Sequence, residues 1–125
     1  MKQIQPELHR LTNLQRQILK WIRHEGGGCL PVDRLFTTLY FTTQTPPEIN
    51  GLGERLSEAA EQLARAGLVE IRSERSSKSK FPSLYDFGGI VRNLELIGAD
   101  KWQWKNNDVP EVALTDFGSH YVARM

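Results

Sequence analysis

From Leu14 onward the apolar residues recur three and four positions apart. Leu14, Ile18, Trp21 and Ile22 share one side of a cylinder, which predicts a first helix. Thr12, three residues ahead of Gln15, gives its start a capping-box pattern, in which a hydroxyl and an amide each satisfy a free backbone group. Gly26-Gly27-Gly28 stops it. CLPV supplies only a very short extended piece. Val32, Leu35, Phe36, Leu39 and Tyr40 then restore helical spacing for a second helix, broken by TTQT. Thr45-Pro46-Pro47-Glu48 is a further start signal, with a capping Thr, proline at the first helical position and Glu at the capping-box site. Ile49, Leu52, Leu56, Ala59, Ala60 and Leu63 carry a third helix to Gly67. Gly51 and Gly53, each costing about 1 kcal/mol against Ala, predict a break between one short turn and the main helix.

LVEIRSE reads as a strand, and SERSSKSKFPS as a polar, basic loop. In residues 84–97, Phe87, Ile90, Val91, Leu94 and Ile97 fit a helical face stopped by Gly98, although IVRNLELI also reads as strand. We take the helix as the expectation. KWQWK alternates like a strand, NNDVP is a turn, and EVAL is the last strand. Thr115 then caps a final helix bearing Phe117, Tyr121 and Val122.

A chain of 125 residues predicts one domain able to bury a core without disulfides or metal. We take residues 1–125 as that single domain, with a polar N-terminal arm at 1–10 and an extended wing or insertion at 75–110 within it. With 39% hydrophobic and 25% charged residues it fits neither a disordered nor a membrane class. No membrane span and no signal core is evident, and the single Cys29 fits a cytoplasmic setting. The net charge of +1 announces no nucleic acid, so any such case rests on how charge is distributed.

Three stretches carry a resemblance. LTNLQRQILKWI looks like the first helix of the winged helix-turn-helix domain of prokaryotic transcription regulators. LSEAAEQLARAGLVEI looks like that family's third helix turning at Gly67 into a wing strand. VALTDFG looks like the second wing strand entering the closing helix. The resemblance spans residues 11–122. It implies an α+β, mostly α, fold: a three-helix core, an antiparallel wing hairpin with an insertion, and a C-terminal helix. LVEIRSE and EVAL would pair, and Gly118 would let the last helix pack against neighbouring backbone.

The resemblance also implies a cytoplasmic regulator of transcription, binding double-stranded DNA as a homodimer, with residues 1–10 and the terminal helix as candidate dimer surfaces. Carried onto this chain, the contacts from the third helix would be Arg55, Ser57 and Arg65. Those from the wing would be Arg72, Arg75, Lys78 and Lys80. Charge divides the two elements. Residues 48–70 carry Glu48, Glu54, Glu58, Glu61 and Glu70 against Arg55 and Arg65, a net of −3 that opposes phosphate. Residues 72–80 carry four cations against Glu74, a net of +3 suited to a DNA backbone. The rival expectation is therefore a winged-helix protein-interaction module using the acidic third helix and the Trp-containing insertion, without DNA. Trp102 and Trp104 most simply cover a small satellite core, or else form an interface or a pocket lid.

No enzyme is expected. His9, His24, His120 and Cys29 lack metal-ligand spacing, and GGG lacks the Lys-Ser/Thr of a phosphate loop. DFG occurs at 86–88 and 116–118 without the companion motifs of a kinase. No nucleophile is paired with a base, and no cofactor or metal is called for.

Overall fold

The computed structural model describes residues 11–42, 49–73, 82–99, 101–105 and 108–124. The polar arm at 1–10, the start signal at 45–48 and most of the basic loop lie outside them. Helix α1 (Asn13–Gly26) begins at the expected capping box. Thr12 Oγ1 accepts the Gln15 N–H at 3.1 Å, and Gln15 Oε1 accepts the Thr12 N–H at 3.0 Å. Strand β1 (Cys29–Pro31) leads directly into α2 (Val32–Thr42).

Helix α3 (Ile49–Arg65) runs unbroken through Gly51 and Gly53, against the expected interruption. The reason is packing. A Cβ on Gly53 would lie 2.5 Å from Val91 Cγ2, so the missing side chain makes room for a neighbour. At its C-terminus the Leu68 N–H bonds to Leu63 O and the Gly67 N–H to Ala64 O, each at 3.0 Å. Gly67 holds the left-handed φ of +84° that this double closure requires.

The corner delivers the chain into β2 (Val69–Arg72), whose side chains alternate buried and exposed. Strand β5 (Glu111–Leu114) lies between β1 and β2, antiparallel to both, with Ile71 opposite Val112 and Leu30 opposite Val112 on the other side. Helix α5 (Asp116–Ala123) follows at once. Thr115 Oγ1 accepts the Gly118 N–H at 2.9 Å and donates to Gly67 O at 2.5 Å. A Cβ on Gly118 would sit 2.8 Å from the Leu68 carbonyl carbon and closer still to its oxygen, so only glycine fits where α5 meets that corner.

Between β2 and β5 the chain makes an excursion of its own. Residues 84–97 are not the single helix expected. A 3-10 turn (Leu84–Phe87) and the short α4 (Ile90–Asn93) are separated by Gly88 and Gly89 at φ +85° and +81°. The chain then enters strand β3 (Leu94–Leu96), which pairs antiparallel with β4 (Trp102–Trp104). The two glycines break the helical stripe, so Ile90 and Leu94 are buried while Ile97 is exposed. The excursion forms no satellite core. Leu84, Ile90, Leu94 and Trp104 join the same cluster as Ile18, Phe36, Leu56 and Val112. The fold is α+β and mostly helical, with two small antiparallel sheets. No helix among the described residues is long and apolar enough to cross a membrane.

Candidate functional site: the third helix and the segment laid over it

Helix α3 buries Leu52, Leu56, Ala59, Ala60 and Leu63, and turns Glu54, Arg55, Glu58, Gln62 and Arg65 to solvent. Arg55 and Arg65 thus stand on the outward face, as expected of contact residues, though interleaved with carboxylates. Ser57 does not. It is wholly buried, and its hydroxyl reaches no ligand or phosphate in this arrangement. The resemblance implied Ser57 as an exposed contact residue, and the excursion covers it instead.

The cover is made by residues 83–93. Val91 occupies the space above Gly53, and Ser83 Oγ donates to Glu61 Oε2. Tyr85 donates its hydroxyl to Glu54 O at 3.3 Å. Ser83 also caps the 3-10 turn, taking the Tyr85 N–H at 3.0 Å, while Asp86 accepts the Ser83 N–H at 3.0 Å. That Ser-x-x-Asp capping box was legible in the sequence and marks the start of the turn at Leu84.

A cleft of about 370 Å³ remains between the two layers, lined by Glu54, Ser57, Tyr85, Gly88, Val91 and Arg92 among others. Ser57 Oγ has no hydrogen-bond partner there. It lies near enough to Tyr85 to act on that phenol in the lowering direction, the last of the influences on it. The net shift of Tyr85 is upward, from local desolvation first and then from the carboxylates of Glu61, Glu54 and Glu58. A phenol held neutral among acids suits a structural contact better than a proton-transfer role.

The second half of the excursion is clamped to α2. Within the β3–β4 hairpin the odd-numbered residues bond to each other. Ile97 N–H reaches Lys101 O at 2.8 Å and Lys105 N–H reaches Asn93 O at 2.7 Å. The backbone of Trp102 and Trp104 therefore faces outward, toward α2. Thr37 Oγ1 accepts the Trp102 N–H at 3.0 Å and donates to Trp102 O at 3.2 Å, and Asp33 Oδ2 accepts the Trp104 N–H at 3.0 Å. Residues 33 and 37, one helical turn apart, substitute for a neighbouring strand.

Trp102 packs edge-on against Phe36 and Tyr40, each with centroids 5.6 Å away, and Trp104 is buried. Both tryptophans anchor the hairpin to the main core, rather than covering a satellite core of their own. Sequence reading missed Asp33 and Thr37; their signal was a polar pair at i,i+4 beside the apolar stripe of α2.

The basic segment at 72–80 is described only at its root. Arg72 is exposed and paired with Glu70 at 3.1 Å. Arg75, Lys78 and Lys80 lie outside the described residues. Among the described residues no group of three or more His, Cys, Asp or Glu is placed to hold a metal ion. No protein-family model, no curated protein and no solved structure matches the chain.

Proposed function

We propose that this chain is a winged helix-turn-helix module that works by binding another protein, and that α3 does not read a DNA groove. The order of elements supports the winged-helix reading, together with a β2–β5 hairpin that closes onto β1 ahead of a Thr-capped helix.

One observation carries the functional part: the 83–93 segment lies along the flank of α3 and buries Ser57. A bare helix is about 10–12 Å across and the major groove about 12 Å wide, so a helix carrying a second layer does not enter. Lifting the layer would expose Leu84 and Ile90, now buried. At about 1.5–3 kcal/mol for each such side chain, that costs on the order of 3–6 kcal/mol. Non-specific duplex binding supplies only about 5.5–8 kcal/mol in total. The acids at Glu54 and Glu58 weigh in the same direction.

A second reading rests on residues 72–80, whose net charge of +3 suits a phosphate backbone. An anisotropy titration with random duplex DNA, run at low and high salt, separates the two. The proposal expects no appreciable binding even at low salt, and no change with Arg55→Gln and Arg65→Gln; the second reading expects binding that weakens steeply with salt and disappears when Arg72, Arg75, Lys78 and Lys80 are neutralised. A tenfold loss with the α3 pair would defeat it.

A further inference from the structure

The cleft between α3 and residues 83–93 holds more chemistry than a packing seam needs. Ser57 lines it and is wholly buried, and its hydroxyl has no hydrogen-bond partner among the described residues. Buried polar groups are almost always paired, so an orphan beside a cleft of about 370 Å³ points to an occupant. The hydroxyl lies behind the phenol of Tyr85, which is 49% exposed and held by one long bond of 3.3 Å to Glu54 O. A turn of that side chain opens the hydroxyl to the cleft. Charge of both signs stands around it. Glu54 lines the cleft from α3 and Arg92 from α4, and neither side chain makes an ion pair among the described residues. The two face one space without neutralising each other. The remaining wall is apolar or bare: Val91 offers methyl groups, and a Cβ on Gly89 would meet nothing within 4 Å.

We propose that this cleft binds a small zwitterion, an α-amino acid with an apolar side chain. Its carboxylate takes the Arg92 guanidinium and the Ser57 hydroxyl, both of which donate. Its ammonium group takes the Glu54 carboxylate and faces the Tyr85 ring. The field on the α3 side suits that end of the ligand. The Tyr85 phenol is raised in pKa by burial first and then by Glu61, Glu54 and Glu58, so negative charge gathers there. The ligand side chain rests on Val91 and enters the open space at Gly89. A simple anion or cation would leave one charge of the cleft unanswered, and a charged side chain would bring a third charge against an apolar wall. Touching α3 and its cover at once, the ligand favours the state in which residues 83–93 stay on the helix. The inference rests on that covered arrangement and not on which macromolecule the module meets.

Calorimetric titration of the full chain with L-leucine, L-valine and L-phenylalanine, in the absence of nucleic acid, tests it. The expected result is saturable binding of at least one of them, with a dissociation constant between about 10 µM and about 1 mM. Amide NMR shifts should be confined to residues 53–57 and 85–92. The matched carboxylic acid without the amine, and the matched amine without the carboxylate, should each bind at least about tenfold more weakly. Arg92→Gln, Glu54→Gln and Ser57→Ala should each weaken binding at least about tenfold with circular dichroism unchanged, since two are exposed and the third loses only an unpartnered hydroxyl. No saturable binding up to about 10 mM would overturn the proposal, the hydroxyl then being served by water alone. So would binding that ignores all three substitutions, or a matched acid that binds as tightly as the amino acid. Either failure leaves the DNA titration of the module untouched, because no DNA is present.

Discussion

The carboxylate of Asp33 on α2 accepts the backbone N–H of Trp104 on β4 at 3.0 Å, so that a helix completes the edge of a sheet. With Thr37 bonding both backbone groups of Trp102, the excursion between the strands of the main sheet is fixed to the helical core. Asp33→Ala removes a hydrogen bond to a charged group and leaves a backbone N–H unpaired, a loss of about 1.5–3 kcal/mol. Urea unfolding followed by tryptophan emission should show this, and amide exchange at residue 104 should rise before global unfolding. Unchanged exchange there would mean that the clamp holds nothing.

Two glycines should respond in opposite directions. Gly118→Ala drives a methyl group into the Leu68 carbonyl and should destabilise the protein by about 3 kcal/mol. Gly51→Ala meets nothing within 4 Å inside a helix and should stabilise it by about 0.5–1 kcal/mol. Paired denaturation curves read the contrast directly.

Ser57→Ala removes a buried hydroxyl that has no partner. Stability should rise by about 1 kcal/mol, and any affinity for DNA should stay as it was. A fall in either would show that the hydroxyl is engaged in a state other than this one.

Cys29 gives a pH test of the main sheet. Burial first, then a hydrogen bond to Glu111 and its charge, raise the thiol pKa. A raised pKa leaves less thiolate at a given pH, so the midpoint of the iodoacetamide rate profile should lie above the ordinary thiol value of about 8.5. Glu111→Gln removes the neighbouring charge and should move the midpoint down. A midpoint that does not move would separate the thiol from Glu111.

Most of the main fold was legible because its signals are local. The Thr12–Gln15 box, the Gly67 corner and Thr115 ahead of Gly118 each fix an element boundary through backbone groups a few residues apart. What the sequence hid depends on contacts distant along the chain. Gly53 reads as a helix breaker until Val91 is seen above it, and Ser57 reads as exposed until Tyr85 lies over it. The stripe in residues 84–97 fits a helix numerically, and only the positive φ of Gly88 and Gly89 divides it. Asp33 and Thr37 are ordinary surface polars until a strand edge docks on them.

The central claim, that the 83–93 segment stays on α3 while the protein works, can be locked and tested. A Cβ on Gly53 would stand 3.7 Å from Val91 Cβ, within the spacing a disulfide needs. Gly53→Cys with Val91→Cys, made in a Cys29→Ser background, should oxidise to a covalently closed form. The account predicts that the oxidised and reduced forms bind duplex DNA with the same affinity, or both fail to bind, across the salt range. A loss of DNA binding on oxidation that a reductant restores would contradict it, because α3 would then have to be uncovered to act.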